Sequence, residues 1–188
     1  IMDESDRLRN LVDRMLGSNK VLKKTETNIH EILERVCTLM HAESSGKIKI
    51  IRDYDPSIPE FLADKSQLIQ AFLNISKNAL QALSDQVEEG KEATITIRTR
   101  ALRQFTIGQS RHRLVLSVEI MDNGPGIPKE AIQNIFYPMI SGRPDGTGLG
   151  LSITQSILTK HDGLVECESK PGETNFIVYL PLEQNNGL

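Results

Sequence analysis

Apolar residues recur at two spacings along the chain, and these spacings predict a mixture of helices and strands. Helical spacing predicts helices over residues 3–16, 28–41, 64–83 and 148–160. Asp64, whose carboxylate is a favourable N-terminal cap, precedes the helix with the broadest apolar face. Alternating or continuous apolar runs predict strands over residues 47–54, 93–100, 113–122, 164–170 and 174–181.

The order of these elements favours an α/β fold without the strict strand and helix alternation of a dinucleotide-binding domain. The strands over 93–100 and 113–122, separated by a polar loop, are hairpin candidates, as are the last two strands. A long loop is expected over residues 123–147. We therefore expect a mixed sheet packed on helices.

Composition limits the possible architecture and partners. A chain of 188 residues with 38% hydrophobic content can bury one sizeable core, with a helical appendage. The formal charge of −3 argues against binding nucleic acid or anionic membranes through bulk charge. No apolar run is long enough to cross a membrane, and the two cysteines suit a reducing compartment, so we expect a cytoplasmic protein. Because Ile1 precedes Met2, we expect the chain to begin within a longer polypeptide.

Two glycine-rich stretches carry the candidate chemistry. The first, DNGPGIP over residues 122–128, follows a predicted buried strand, and taken alone it is compatible with an ordinary surface turn. The second, GTGLGL over residues 146–151, opens a predicted helix. Glycines at a helix N-terminus allow phosphate oxygens to approach the backbone N–H groups, so the pair suggests a nucleotide cradle. The spacing matches neither a P-loop nor a dinucleotide fingerprint.

Two asparagines lie one turn apart on the apolar helix over residues 64–83. Asn74 and Asn78 are costly to bury without polar partners. A magnesium ion that takes most of its ligands from phosphates and water needs only one such amide oxygen. Hydrogen bonding of both amides to neighbouring backbone remains the alternative interpretation.

Four segments together resemble the ATP-binding domain of the sensor histidine kinases. The segments NISKNALQAL, DNGPGIP, IFYPM and GTGLGLSI resemble the N box, first glycine box, F box and second glycine box of that family, in order. The resemblance covers residues 64–160, and the strand pattern extends it to Pro181. It implies a Bergerat-type ATP-binding fold, a two-layer sandwich of a mixed sheet on helices, here with a short N-terminal helix. RDYDPSIPE and FYPMISGRPDGTGLGLSI are similar, more narrowly, to sensor kinases of nitrogen regulation.

The resemblance implies how the site would hold Mg²⁺ and ATP. Asp122 would accept a proton of the adenine amino group, which selects ATP over GTP, while Gly124 and Gly126 make room for the base. Asn78 would be the magnesium ligand. Asn74 would face the phosphates, and Lys77 would offset their charge.

The other implied nucleotide contacts lie late in the chain. Gly146, Gly148 and Gly150 match the triphosphate cradle, and Thr174 matches a threonine that reaches adenine through water. Arg143 is equally compatible with a γ-phosphate contact and with a solvated loop position. The remaining nucleotide contacts are assigned to Tyr137, Thr147 and Leu149.

One departure separates a kinase from the ATPases of the same superfamily. ATPases carry a glutamate general base at the first N-box position, where this chain has Asn74. An amide cannot take a proton, so we expect the γ-phosphoryl to pass to a histidine instead of water. HEILER at His30 copies only two letters of the acceptor motif, which makes His30 an expected surface helix residue and places the acceptor outside this chain.

These expectations define domains and partners. Residues 1–20 would end the upstream dimerisation and phosphoacceptor domain, and residues 21–188 would form the catalytic domain of a homodimeric full-length kinase. The resemblance implies as partners the upstream histidine domain, an NtrC-like response regulator and a PII-type regulatory protein. An ATPase or serine-directed kinase on the same fold, and a module that only senses nucleotide, remain alternatives.

Overall fold

The structure, a computed structural model, describes residues 21–140 and 147–182. A five-stranded sheet forms one layer, and helices form the other. The strands of this sheet are β2 (Lys49–Asp53), β4 (Thr94–Ile107), β5 (Ser110–Asp122), β6 (Leu164–Lys170) and β7 (Glu173–Pro181). The helices are α1 (Ile29–Glu43), α2 (Lys65–Glu88), α3 (Lys129–Ile132) and α4 (Gly150–Lys160). The predicted two-layer α/β fold is confirmed.

The sheet is mixed, with the strand order β2-β4-β5-β7-β6. Strand β2 pairs parallel to β4, and the other neighbours are antiparallel. Both predicted hairpins, β4–β5 and β6–β7, are present. Two short strands that the sequence did not indicate, β1 (Thr25–Thr27) and β3 (Phe61–Ala63), pair with each other outside this sheet.

The hydrophobic core lies between one face of the sheet and the helices. Alternate residues are buried along the first half of β4, where side chains such as Ile97 point toward the helix layer. Strands β5 and β7 instead contain continuous buried runs, which include Val118 and Val178. Leu68, Ile75 and Leu83 contribute the buried face of α2. Helix α2 therefore lies against the sheet along its length, which fixes its polar residues relative to the strand ends.

Helix capping agrees with the sequence pattern. The Asp64 side chain accepts a hydrogen bond from the Gln67 N–H at the start of α2, as predicted, and Asn28 caps α1 in the same way through the His30 N–H. Helix α2 continues to Glu88, five residues beyond its predicted end. Helix α4 ends at Lys160, with His161 as its C-terminal cap.

Two predicted loops are shorter than expected. The polar segment after residue 100 is not a loop, because β4 and β5 continue as a hairpin until only Gly108 and Gln109 separate them. The long loop over residues 123–147 includes the short helix α3. The predicted helix over residues 3–16 lies outside the described residues.

Three further expectations can be compared with the structure. Cys37 and Cys167 are free thiols and do not pair. In the two described ranges, none of the helices combines the length and the apolarity that crossing a bilayer requires. The expectation that His30 is a surface residue is wrong in part, because its ring is half-buried, stacks on Tyr54 at 4.7 Å and lies 3.0 Å from Thr99 Oγ1.

Candidate nucleotide-binding site

The candidate site lies where α2, the carboxyl end of β5 and the N-terminus of α4 meet. Helix α2 contributes Asn74 and Asn78, β5 ends at Asp122, and α4 begins at Gly150. These elements are distant in sequence, and the packing of α2 against both α4 and the sheet brings them together. The N box and both glycine boxes therefore lie next to one another in the folded chain.

Asp122 is a buried carboxylate. It is 4% exposed, and burial raises the pKa of its carboxyl from 3.8 to about 6, against a smaller lowering by a hydrogen bond from the Gly124 N–H. That N–H lies 2.9 Å from Oδ1. Within the described ranges, Asp122 forms no salt bridge, and its Oδ2 has no hydrogen-bond partner. The carboxylate is therefore an available acceptor for a buried donor.

The first glycine turn packs against two neighbours so closely that side chains cannot be accommodated. A β-carbon on Gly124 would lie 2.7 Å from Asp122 Oδ1 and 3.3 Å from the Ala82 β-carbon on α2. Gly126 has a left-handed backbone, with φ of +88°, and a β-carbon there would collide with the carbonyl oxygen of Lys170. The predicted requirement for glycine at both positions is physically explained.

A hydroxyl network connects this turn to the last hairpin. Thr174, the register partner of Asp122 in the sheet, is 4% exposed. Its Oγ1 lies 2.9 Å from Ser169 Oγ, and Ser169 Oγ accepts a hydrogen bond from the Ile127 N–H at 2.8 Å. Thr174 therefore lies beside Asp122, and its hydroxyl is already hydrogen-bonded to Ser169.

Asn74 links α2 directly to the second glycine box. Its Nδ2 donates to the Gly150 carbonyl oxygen at 3.1 Å, and a β-carbon on Gly150 would lie 3.7 Å from the Asn74 β-carbon. The Thr154 hydroxyl donates to the same carbonyl at 2.9 Å. The alternative in which Asn74 bonds to backbone thus applies, although the backbone belongs to α4 and not to its own helix.

Asn78 and Lys77 keep their polar groups available. Asn78 is half-buried, and its amide makes no hydrogen bond to any described residue. No group of three or more His, Cys, Asp or Glu in the described ranges is arranged to hold a metal ion by itself. One free amide oxygen fits a magnesium ion that takes its other ligands from phosphates and water. Lys77 is exposed.

The F box packs against β7 and the second glycine box. The Phe136 ring meets Phe176 of β7 edge-on, with centroids 6.4 Å apart, whereas Tyr137 is 60% exposed. The Met139 N–H donates to the Gly148 carbonyl oxygen at 2.9 Å, and Gly148 has a left-handed φ of +63°. The F box is thereby tied to the start of α4.

The structure describes two of the four remaining predicted site residues. Leu149 is buried, and Thr147 is exposed. Arg143 and Gly146 lie outside the described residues. A separate open groove of about 770 Å³, between the C-terminal half of α1, β2 and the segment before β4, contains none of the predicted site residues.

Sequence reasoning did not identify Ala82, Thr154 or Ser169. Ala82 limits the space beside Gly124, and Thr154 supports the Gly150 carbonyl. Ser169 has three hydrogen-bonding contacts at the hairpin turn. No sequence signal marked these residues, because a single alanine, serine or threonine is unremarkable until its neighbours are known.

The chain matches one protein family and several sensor kinases. The family profile "Histidine kinase-, DNA gyrase B-, and HSP90-like ATPase" matches residues 63–184. The Sensory histidine kinase/phosphatase NtrB of Vibrio alginolyticus is 54% identical over 97% of this chain and 51% of that protein. The chain thus spans about half the length of this relative, and the same holds for the NtrB protein of Klebsiella oxytoca.

Solved structures agree with the fold. The nucleotide-free catalytic domain of histidine kinase ThkA superposes with a TM-score of 0.70 at 25% identity, covering 85% of this chain and 96% of that domain. Histidine kinase ThkA in complex with response regulator protein TrrA has a TM-score of 0.73 at 24% identity, over 98% of this chain and 50% of that chain. The second likeness concerns the fold alone.

Proposed function

We propose a function for this chain from the premise that it belongs to the histidine kinase-, DNA gyrase B- and HSP90-like ATPase family. The chain binds Mg-ATP and transfers the γ-phosphoryl group to a histidine that it does not itself supply. It is the catalytic domain of a two-component sensor kinase of the NtrB type. Residues 21–188 form this domain in the proposal, and residues 1–20 end the domain that precedes it.

The environment of Asp122 is the observation that carries the nucleotide proposal. A carboxylate that is 4% exposed and unpaired with any described cation is costly to keep charged, and this burial raises its pKa. A ligand that donates a hydrogen bond to Oδ2 relieves the cost. The adenine amino group is such a donor, whereas the carbonyl of guanine is not.

The phosphate end is proposed to lie between α2 and the N-terminus of α4. Backbone N–H groups at a helix start favour anions, and Gly150 has no β-carbon to cover them. Gly148 allows the close approach of the Met139 and Ile140 backbone to this helix start. Lys77 offsets phosphate charge, and Asn78 would hold Mg²⁺ through its amide oxygen. When bound, Mg²⁺ supplies charge neutralisation to the phosphates.

Asn74 favours phosphoryl transfer over hydrolysis. Its amide nitrogen already donates to the Gly150 carbonyl, and an amide cannot act as a general base toward water. A bound nucleotide is therefore held without rapid hydrolysis until a stronger nucleophile is positioned. Positioning and charge neutralisation supply most of the catalysis in phosphoryl transfer.

The histidines of this chain are poor acceptors. His30 is half-buried against Tyr54, and both ring nitrogens of His161 are hydrogen-bonded. His112 is buried, and His41 lies on α1, which contributes none of the site residues. The acceptor is proposed to come from the dimerisation domain of the full-length homodimer.

The partners follow from the relatives. The NtrB relatives are named sensory histidine kinases/phosphatases, and the ThkA kinase assembles with a response regulator. By analogy this chain serves an NtrC-like response regulator, and a PII-type protein regulates it in nitrogen control. The compartment is proposed to be the cytoplasm, and neither nucleic acid nor membrane is a proposed partner of this domain.

Phosphoryl transfer from γ-labelled ATP tests the function. This chain alone should bind Mg-ATP without acquiring stable label, and adding the upstream helical domain of an NtrB relative should label that domain. The same domain with its acceptor histidine replaced is the matched control and should remain unlabelled. Stable label on this chain alone would contradict the proposed division of labour, and absence of nucleotide binding would contradict the whole proposal.

An ATPase on the same fold is the second candidate, since the family includes ATPases. Steady-state phosphate release distinguishes the two. Fast ATP turnover by the isolated chain would favour the ATPase and would contradict the argument that Asn74 prevents rapid hydrolysis.

A further inference from the structure

Ser169 lies at the junction of the last hairpin and the first glycine turn. Its Oγ is 2.8 Å from the Ile127 nitrogen, 3.1 Å from the Glu173 carbonyl oxygen and 2.9 Å from Thr174 Oγ1. Gly126 precedes Ile127 and packs against the backbone carbonyl of Lys170, the residue after Ser169. This contact leaves no space for a side chain at Gly126. The glycine turn is therefore held against the hairpin at two adjacent points.

The three contacts of Ser169 fix the directions of their hydrogen bonds. The Ile127 N–H can only donate and the Glu173 carbonyl can only accept, while a serine hydroxyl has one proton and two lone pairs. All three contacts are satisfied only when Ser169 donates to Glu173 and accepts from both Ile127 and Thr174. The Thr174 proton is then used, and its oxygen offers only lone pairs to any other group.

This direction matters because of where Thr174 lies. Thr174 pairs in register with Asp122, so the two side chains are neighbours on the same face of the sheet, and both are buried. Two acceptors, the Asp122 carboxylate and the Thr174 oxygen, consequently lie side by side. A 6-amino purine brings two protons to such a pair, directly or through a water, whereas a 6-oxo purine brings another acceptor.

We propose that Ser169 is a positioning residue for base selection, which holds the Thr174 hydroxyl as an acceptor beside Asp122. The inference rests on the proposed adenine site and adds to it the residue that sets its specificity. Ser169 does not contact the nucleotide in this proposal. It acts through Thr174 and through the position of the Ile127 amide.

Removing the Ser169 hydroxyl should change selectivity as well as affinity. In Ser169→Ala, the Thr174 hydroxyl is free to rotate and can donate to a 6-carbonyl, and the Ile127 N–H loses its partner. We expect the affinity for ADP to fall about tenfold, the loss typical of one hydrogen bond. Affinity for inosine diphosphate should fall less, so the preference for ADP over inosine diphosphate should also fall by up to about tenfold.

Calorimetric titration with ADP and inosine diphosphate, beside thermal unfolding of each variant, tests the proposal. Ser169→Thr retains the hydroxyl and should restore the preference, and Ser110→Ala, at the exposed β4–β5 turn, is the matched control. Thr174→Val should lower the preference as far as Ser169→Ala does, and the double variant should lower it no further, because both changes remove one shared interaction.

The outcomes separate the positioning role from a structural one. A lower unfolding temperature with an unchanged ADP preference in Ser169→Ala would mean that Ser169 only stabilises the hairpin, and would overturn the proposal. If Ser169→Ala does not fold, an unchanged preference in Thr174→Val overturns it equally. Failure of the wild-type chain to bind ADP would overturn the proposed function and this inference together, whereas binding with an unaltered preference overturns this inference alone.

Discussion

Asn74 Nδ2 donates a hydrogen bond to the carbonyl oxygen of Gly150, 3.1 Å away, and this contact joins α2 to α4 through two residues that are 76 positions apart in sequence. The N box and the second glycine box are therefore one physical unit. The contact also orients Asn74, because its nitrogen must face α4.

Replacing Asn74 with Asp should destabilise the chain and weaken nucleotide binding. The change removes the amide donor and puts a part-buried carboxylate oxygen against the Gly150 carbonyl, with which it cannot hydrogen-bond. A part-buried polar group left without its partner costs about 1–3 kcal/mol. Thermal unfolding without nucleotide measures this cost. Asn78→Asp is the matched control, since Asn78 has no partner among the described residues, and it should leave stability nearly unchanged. Equal destabilisation by the two variants would contradict the role given to the Asn74 contact.

Replacing Asp122 with Asn should stabilise the nucleotide-free chain at neutral pH. The pKa of Asp122 in the folded chain, about 6, lies above the ordinary 3.8. The stabilisation gained from protonating Asp122 is therefore fully present below pH 3.8 and is lost as the pH rises through 6. Above that pH the buried charge costs on the order of 3 kcal/mol, which an isosteric amide avoids. Denaturant unfolding at pH 5 and pH 7.5 measures the difference, which should be larger at pH 7.5.

The same Asp122 variant should bind ATP at least tenfold more weakly. Calorimetry measures this loss, and the exposed Asp85→Asn on α2 serves as a control. Greater stability together with weaker binding would show that the carboxylate is retained for function. Unchanged ATP affinity would remove Asp122 from the base site.

Gly126→Ala should impair the site more than Gly172→Ala does. Both glycines have φ near +88°, so both variants incur backbone strain of about 1–2 kcal/mol. A β-carbon at Gly172 meets nothing within 4 Å, whereas at Gly126 it collides with the Lys170 carbonyl. We expect greater destabilisation and weaker ADP binding only in Gly126→Ala, as measured by thermal unfolding and calorimetry. Identical losses in both variants would mean that backbone strain alone explains them.

His161 should make the chain sensitive to acid. Its Nε2 accepts the Asp64 N–H at 3.0 Å and its Nδ1 lies 2.8 Å from the Ile157 carbonyl, so the ring is neutral. Burial lowers the pKa of His161 below 6.5, so the unfolded chain takes up a proton first as the pH falls below that value, and stability decreases. Relative to His161→Gln, the wild type should lose stability between pH 7 and pH 5.

The comparison with His161→Gln isolates this effect from Asp122, whose titration acts in the opposite direction over the same range. His41→Gln, at an exposed position on α1, is the control and should follow the wild type. Parallel pH profiles for the wild type and His161→Gln would contradict the neutral, doubly bonded ring.

Local patterns in the sequence were sufficient to predict most of the fold. Apolar spacing and the Asp64 cap predicted α2, because helix formation depends on residues three or four apart. Asp122, Gly124 and Gly126 were predicted from the resemblance of DNGPGIP to a glycine box, and the close packing at both glycine positions gives a physical reason for glycine there. The continuation of β4 and β5 to a two-residue turn was missed, since polar residues in an extended hairpin resemble those in a loop.

Only the tertiary structure decided which polar groups of the site hydrogen-bond to each other and which have no partner among the described residues. The Ile127 to Ser169 and Asn74 to Gly150 contacts join residues 42 and 76 positions apart, and no local pattern encodes such pairings. The raised pKa of Asp122 likewise depends on burial by several elements, not on its neighbours in sequence. The sequence by itself determined which residue types were present for nucleotide chemistry. Chain packing determined which hydrogen bonds they had already made, because desolvation and hydrogen-bond satisfaction are properties of the assembled core.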